Sequence, residues 1–226
     1  MSTRIAIVAG AGSGLGQATA IALHAAGLSV VGVDRSEAGL KQLPGDIHTE
    51  VADATDPAVA KPLVDRIAKQ VGSPDILVNT VGVYALGDAL SVTPDLLREF
   101  MDVNLGAALW LTQAVTPYMQ EKGTGAIVHV AARQGLEPAR GLAAYAVTKA
   151  ALVHLIRVLD LELRPHGIRV NAVAPQLIAT EQNKALVPPE FLVGAVEPGA
   201  IADVIAYLVS DDAKPVNGAV VPAYGG

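Results

Sequence analysis

Tyr145 and Lys149 are the two residues whose types and spacing suggest chemistry most directly. They lie four positions apart in a segment, residues 142–164, that contains neither Gly nor Pro, so they occupy one face of a predicted helix. A phenol, whose pKa is ordinarily about 10, exchanges a proton with a carbonyl group efficiently only if that pKa falls toward neutrality. A neighbouring ammonium favours the phenolate and lowers the pKa. The pair suggests acid and base catalysis, although this spacing also arises by chance on helix surfaces.

A glycine-rich loop, residues 10–16, joins the first apolar segment directly to a helical one. Glycines let the backbone approach a pyrophosphate closely, and a helix N-terminus offers free N–H groups and a positive dipole end. The loop therefore predicts a dinucleotide site, and its alternative is a tight turn that binds nothing. We expect the phosphates to contact five residues of the loop: Gly10, Ser13, Gly14, Leu15 and Gly16.

Asp34 stands at the end of the second predicted strand, at the spacing from the glycine loop where an acidic residue meets the adenosine ribose. A carboxylate that accepts hydrogen bonds from two ribose hydroxyls repels a phosphate attached to one of them. The sequence therefore predicts NAD(H) in preference to NADP(H). Arg35, the next residue, could serve a phosphate instead, and Asp34 could also be a surface carboxylate.

The elements that position these residues alternate between short apolar segments and longer helical ones. We predict strands at residues 4–9, 29–34, 48–52, 75–79, 125–131, 168–172 and 218–222, and helices at residues 16–26, 57–71, 94–122, 142–164 and 198–209. This order predicts an α/β fold: a Rossmann-type, doubly wound parallel sheet of about seven strands with helices on both faces. We expect one domain over residues 1–226, with the substrate site in its C-terminal part and residues 179–198 as a lid.

These motifs together resemble the short-chain dehydrogenase/reductase family over almost the whole chain. The resemblance implies that Tyr145, Lys149 and Asn104 are catalytic, with Asn104 holding a water against the lysine, and that Gly225 and Gly226 form the usual ending. It implies further cofactor contacts beyond the glycine loop and Asp34: Asp53, Asn79, Gly82, Tyr145, Lys149, Pro175, Ile178 and Thr180. The implied reaction is the NAD(H)-dependent interconversion of a secondary alcohol and a ketone, with Tyr145 as general acid and base.

The chain departs from the family pattern at Ala132, thirteen residues before Tyr145, where a serine hydroxyl normally polarises the substrate carbonyl. Losing one such donor typically slows an enzyme by about a hundredfold to a thousandfold. Either another donor replaces the serine, or the protein is an NAD(H)-binding sensor or assembly partner with little catalysis. The candidate donors are Gln134, which is preferred because it lies two residues further on, and then Tyr84 and Gln176.

Two arginines, Arg133 and Arg140, flank the loop that follows Ala132. We expect both to be solvated surface residues, with contact to an anionic substrate as the alternative. His129 lies within a predicted strand, and we expect it to be packed.

Composition excludes several other functions. The chain has no Cys, and its five His residues lack ligand spacing, so we expect no disulfide and no metal site. Its net charge of −6 and scattered Lys and Arg argue against nucleic-acid binding. We find no leader peptide and no apolar stretch of membrane-spanning length, so we expect a soluble, cytoplasmic protein with a small-molecule alcohol or ketone as substrate. The family resemblance implies a homodimer or homotetramer formed by the helices at residues 94–122 and 142–164.

Overall fold

The structure, a computed structural model, describes residues 3–225. The first two residues of the predicted domain and the predicted terminal Gly226 lie outside this range. The described chain forms one α/β domain.

A seven-stranded sheet forms the centre of the protein, and all neighbouring strands in it are parallel. The strands are β1 (Ile5–Ala9), β2 (Ser29–Asp34), β3 (His48–Val51), β4 (Ile76–Asn79), β5 (Gly125–Val130), β6 (Ile168–Pro175) and β7 (Val220–Ala223). Their order across the sheet is β3-β2-β1-β4-β5-β6-β7. The predicted doubly wound fold is therefore confirmed.

Helices cover both faces of the sheet, because the central strands are apolar on both sides. They are α1 (Gly14–Ala25), α2 (Glu37–Leu40), α3 (Pro57–Gln70), α4 (Pro94–Met101), α5 (Ala107–Lys122), α6 (Ala143–Leu163), α7 (Glu181–Leu186) and α8 (Pro198–Val209). Successive residues of β5 point to opposite faces. Ile127 packs in the core beneath α3, α5 and α6, whereas Val128 packs in the core beneath α1 and α8.

The predicted helix at residues 94–122 is wrong in its continuity, because a π-helical turn, Asp102–Gly106, separates α4 from α5. Such a turn adds a residue to the helical repeat, whereas the prediction assumed one continuous α-helix. The π turn places Asn104 in the protein interior, where it is 1% exposed.

Other boundaries differ from the prediction by a few residues. Helix α1 begins at Gly14 rather than residue 16, and β6 continues to Pro175 rather than ending at residue 172. The short helix α2 was not predicted, and the predicted lid at residues 179–198 contains α7. Among the residues described, no helix is long and apolar enough to span a membrane.

Strand order reverses between β1 and β4, which are neighbours in the sheet although β2 and β3 intervene in the chain. At such a point the loops leaving the two strands diverge to opposite faces of the sheet and leave a crevice at its carboxyl edge. This edge positions the candidate site.

Candidate active site

The glycine loop follows β1 at the carboxyl edge and packs too tightly for side chains. Gly10 and Gly14 have φ angles of +84° and +51°, in the region that favours glycine. A Cβ at Gly16 would overlap the backbone carbonyl of Gly10. Ser13 precedes α1, and within residues 3–225 its side chain makes no capping hydrogen bond. The loop thus leaves the α1 N-terminus open, and the shape of this cradle fits a pyrophosphate.

Asp34, the last residue of β2, lies against the glycine loop. Its carboxylate accepts hydrogen bonds from the backbone N–H groups of Gly12 at 3.0 Å and Ser36 at 2.8 Å. A Cβ at Gly12 would lie 2.7 Å from the Asp34 carboxylate carbon, so the two groups are in direct contact. The carboxylate is therefore held in direct contact with the glycine loop.

Asp53 lies just beyond β3 and is exposed. Its Oδ1 atom accepts hydrogen bonds from the Thr55 hydroxyl at 2.6 Å and the Thr55 N–H at 2.9 Å. These hydrogen bonds lower the pKa of the Asp53 carboxyl, so the group is an anion at neutral pH. Its other oxygen accepts no hydrogen bond from the described residues.

The turn after β4 connects the glycine loop to the Tyr–Lys pair. Asn79 is buried, and its Oδ1 accepts from the N–H of Val81 at 3.1 Å. The Thr80 hydroxyl donates to the Ala9 carbonyl at 2.8 Å, which ties the turn to the end of β1. A Cβ at Gly82 would lie 3.1 Å from Asn104 Oδ1 and 3.3 Å from Lys149 Nζ, so a side chain here would crowd both residues.

Asn104 holds the same turn from the opposite side. Its Oδ1 accepts from the Val83 N–H at 2.9 Å, and its Nδ2 donates to the Val83 carbonyl at 3.1 Å. The same Nδ2 donates to the Thr148 hydroxyl at 3.2 Å. Thr148 lies between Tyr145 and Lys149 on α6, so Asn104 links the π turn, the β4 loop and the Tyr–Lys helix.

Tyr145 and Lys149 lie on α6 as predicted, with Lys149 Nζ 5.9 Å from the centre of the Tyr145 ring. The Lys149 ammonium is buried and donates to the Val130 carbonyl, at the end of β5, over 2.8 Å. Burial lowers the pKa of Lys149 to about 8.

The pKa of Tyr145 moves in the direction opposite to the one expected from its neighbouring ammonium. Burial raises this pKa, and the nearby phenol of Tyr84 raises it further. The physical reason is that desolvation of the phenolate outweighs attraction by an ammonium that is itself bound to Val130. Tyr145 is therefore a neutral phenol at neutral pH.

Ala132 is buried, at 3% exposure, in extended backbone just after β5. The three candidate replacements for its missing hydroxyl have different surroundings. Gln134 is partly exposed, and its side chain makes no hydrogen bond to the described residues. The Gln176 carbonyl oxygen accepts from Arg133 Nη1 at 2.8 Å. The Tyr84 ring packs edge-on against Tyr145, with centroids 5.2 Å apart.

The segment after β6 folds back over the glycine loop. The Ile178 carbonyl accepts from the Asn183 side chain at 2.8 Å, and Ile178 pairs with Val196 in a β-bridge. The Thr180 side chain caps α7, and its Cγ2 would lie 2.9 Å from a Cβ at Gly14. Pro175, Ile178 and Thr180 thus run from the end of β6 to the N-terminus of α1, as a cofactor-covering segment would.

Sequence reasoning missed the contacts of Arg133 near this site. Its side chain is 38% exposed, in keeping with the expected solvation, but it also pairs with Glu137 at 2.8 Å and stacks on the Tyr224 ring at 4.9 Å. His129 is packed as expected, being fully buried, and its Nε2 lies 3.1 Å from the Thr112 hydroxyl. Burial, and then repulsion by Lys149, lowers the pKa of His129 to about 3. In the sequence, only the position of Arg133 directly after Ala132 indicates that it lies near the site.

The fold and the site define a class of protein: a doubly wound α/β protein in which the turn after β4 connects the glycine loop to the Tyr–Lys pair. The sequence pattern of the family described as short chain dehydrogenase matches residues 4–190. The chain therefore belongs to the short-chain dehydrogenase/reductase family. This family binds nicotinamide cofactors.

Its relatives include oxidoreductases of small molecules. The chain is 30% identical over 99% of its length to meso-2,3-butanediol dehydrogenase of Serratia marcescens, 94% of which is covered. It is 33% identical over 100% of its length to L-xylulose reductase of Mesocricetus auratus, 97% of which is covered. A crystal structure of 3-ketoacyl-(acyl-carrier-protein) reductase from Brucella melitensis complexed with NADH matches with a TM-score of 0.92 at 28% identity, covering 99% of this chain and 97% of that one.

Proposed function

We propose that this protein is an NAD(H)-dependent oxidoreductase that interconverts a secondary alcohol and a ketone. The observation that carries the proposal is the position of the buried Lys149 ammonium. It lies beside the Tyr145 ring and against the turn at Gly82, at the same edge of the sheet as the glycine loop. The activities named for the relatives support the same class of reaction.

The proposed cofactor site follows the carboxyl edge of the sheet. The glycine loop and the N-terminus of α1 would hold the pyrophosphate, Asp34 the adenosine ribose and Asp53 the adenine. Asn79, Gly82, Pro175, Ile178 and Thr180 would line the nicotinamide half. When bound, the reduced nicotinamide supplies the hydride that a ketone carbon accepts. Because the Asp34 carboxylate is an acceptor and the glycine loop, residues 10–16, contains no Lys or Arg, we propose that NAD(H) is preferred over NADP(H).

Tyr145 is proposed as the general acid and base. In the reducing direction its hydroxyl donates a proton to the carbonyl oxygen, and in the oxidising direction the phenolate takes the alcohol proton. Burial keeps Tyr145 protonated, which is the form needed for reduction. The Lys149 ammonium stabilises the phenolate that remains after the transfer. Asn104 positions the pair by fixing Thr148 and the Val83 turn.

Gln134 is proposed to supply the hydrogen bond that a serine at position 132 would otherwise give the carbonyl oxygen. The Gln134 side chain makes no hydrogen bond to the described residues, so its amide can turn toward a substrate, whereas the Gln176 amide is fixed in orientation by the bond that its carbonyl oxygen accepts from Arg133. The alternative function, an NAD(H)-binding sensor or assembly partner, is favoured by one observation. Ala132 is buried and offers no hydroxyl where the site would need it.

A screen of secondary alcohols and ketones, followed by the absorbance of reduced nicotinamide, tests the proposal. We expect turnover by the wild type and none by Tyr145→Phe, which should still bind NADH because the glycine loop and Asp34 are intact. Tyr207→Phe, at an exposed tyrosine on α8, is the matched control and should retain full activity. Full activity of Tyr145→Phe would refute the mechanism. Tight NADH binding without turnover across the screen would instead favour the sensor.

We further propose that the exposed face of α6 joins copies of this chain into a homodimer or homotetramer. This face carries two exposed aliphatic residues, Val147 at 61% and Leu161 at 71%, and an interface between copies would bury both. Sedimentation of the wild type and of Leu161→Lys tests this. A wild-type monomer would contradict it.

A further inference from the structure

Arg133 lies at the meeting point of three neighbouring strands, at the edge of the sheet that carries the Tyr–Lys pair. It follows β5 by three residues, Gln176 follows β6 directly, and Tyr224 follows β7 directly. These strands are adjacent in the sheet. Lys149 Nζ donates a hydrogen bond to the carbonyl of Val130, the last residue of β5. Arg133 follows Val130 by only three residues in the chain.

The Arg133 guanidinium is held in a fixed plane. Its Nη1 donates to Gln176 Oε1 at 2.8 Å, its Nε donates to Glu137 Oε2 at 2.8 Å, and its Cζ lies 4.9 Å from the centre of the Tyr224 ring. A guanidinium carries five N–H groups, so these contacts leave three for a ligand. Contacts that fix the plane beforehand reduce the ordering needed when an anion binds.

The pair with Glu137 indicates which chemical group suits this guanidinium. A carboxylate already binds Arg133 within the chain, and that pair is half-exposed, with side-chain exposures of 38% for Arg133 and 50% for Glu137. Exposed pairs four residues apart contribute little to stability, so a ligand carboxylate can join or displace Glu137. A doubly charged phosphate would meet stronger repulsion from Glu137 than a carboxylate would.

We propose that Arg133 is a specificity-determining residue that binds a carboxylate on the substrate, so that this protein acts on oxo acids and hydroxy acids. The inference rests on the proposed function, because that function puts the reacting carbonyl beside Tyr145. Arg133 then binds the acid group of the substrate and orients the substrate so that the substrate carbonyl faces Tyr145. The class of substrate is an acid whose ketone lies a few carbons from the carboxylate.

The test compares 2-oxo-, 3-oxo- and 4-oxopentanoate with their methyl esters, using NADH as reductant. We expect kcat/KM for the best acid to exceed that for its ester at least tenfold in the wild type. In Arg133→Met the acid should fall to the level of the ester, while the ester is unchanged. Arg140→Met, an exposed arginine on the same loop, should retain the preference. Glu137→Gln should bind the acid more tightly, because a competing carboxylate is removed.

Equal use of acids and esters by the wild type, or a preference that survives in Arg133→Met, overturns the proposal. If the wild type reduces none of these compounds, the proposed hydride transfer is wrong, but the role of Arg133 can still be tested. Calorimetry then measures binding of the oxo acids and their esters to the NADH complex. Binding of the oxo acids but not of their esters, lost in Arg133→Met and kept in Arg140→Met, would support a carboxylate site. Absence of carboxylate-selective binding in the wild type would reject it.

Discussion

The ring of Tyr84 stands nearly perpendicular to the ring of Tyr145, at 81° with centroids 5.2 Å apart. Edge-to-face pairs of this kind add about 0.5–1.5 kcal/mol beyond their burial. Tyr84 also raises the pKa of Tyr145, although its own side chain remains 55% exposed. The Tyr84 ring thus covers part of the Tyr145 ring. This packing contact does not depend on the Tyr84 hydroxyl.

Replacing Gln134 by Ala should lower turnover at least tenfold, about 1.4 kcal/mol, and leave NADH affinity nearly unchanged. The reason is that a donor to the developing oxyanion acts only in the transition state. Tyr84→Phe is the matched comparison, because it keeps the ring contact with Tyr145 and removes only the hydroxyl. Steady-state kinetics of both variants distinguish the two donors. A wild-type rate in Gln134→Ala together with a slow Tyr84→Phe would transfer the role to Tyr84.

Restoring a hydroxyl with Ala132→Ser tests whether the pocket keeps the geometry usual in the family. If it does, turnover of simple ketones should rise, because the new hydroxyl can donate a hydrogen bond to the substrate carbonyl. The substitution adds only one oxygen, at a site that is 3% exposed. If the pocket is arranged around Gln134, the rate should stay constant or fall. The double variant Ala132→Ser/Gln134→Ala decides between these outcomes, because a serine that works independently rescues the loss of the glutamine.

NADH should bind at least tenfold more tightly than NADPH, a difference of about 1.4 kcal/mol, because the Asp34 carboxylate repels a ribose phosphate. Fluorescence titration with both dinucleotides measures this. Asp34→Ala should abolish the preference, whereas Asp46→Ala, at an exposed aspartate elsewhere, should preserve it. Equal affinities in the wild type would remove Asp34 from the ribose site.

Gly16→Ala should weaken NADH binding more than tenfold, because its Cβ would overlap the Gly10 carbonyl and force the loop apart. Gly199→Ala is the matched control, since nothing lies within 4 Å of its added Cβ and alanine favours a helix. Calorimetric titration with NADH, with circular dichroism to verify folding, measures the difference. A Gly16→Ala protein that is folded and binds NADH normally would contradict the cradle.

His129 should make the protein less stable as the pH falls below 7. Its pKa of about 3 in the folded protein lies below the ordinary value of about 6.5. Below pH 6.5 the unfolded chain therefore binds a proton that the folded protein does not, and stability falls until about pH 3. The loss relative to pH 7 amounts to about 2 kcal/mol at pH 5.

Urea unfolding of His129→Asn at both pH values measures this contribution, because the change in stability between pH 7 and pH 5 should shrink by that amount. His166→Asn, at an exposed histidine, should leave the pH dependence as it is. A His129→Asn variant with the wild-type pH dependence would show that His129 becomes protonated in the folded protein.

Local patterns were enough to predict the sheet, because the continuous apolar segments around Ile7, Val78 and Val128 are typical of buried parallel strands. The tight turn of the glycine loop and the position of Asp34 at the end of β2 were also predictable, since each depends on residues close in sequence. The packing of Arg133 on Tyr224 was not, because it joins residues from distant parts of the chain. Nor was the raised pKa of Tyr145, which depends on how much of the folded protein surrounds the phenol.

The π turn at Asp102–Gly106 sets the rotational phase of α4 relative to α5. Each residue of an α-helix turns the chain by about 100°, so removing one residue from this turn would rotate the preceding helix by a comparable angle. Phe100, which is 3% exposed, would leave the interior, and Asn104 would point away from Val83. The helical content would hardly change. A one-residue deletion here would therefore misalign the site while the secondary structure stays intact.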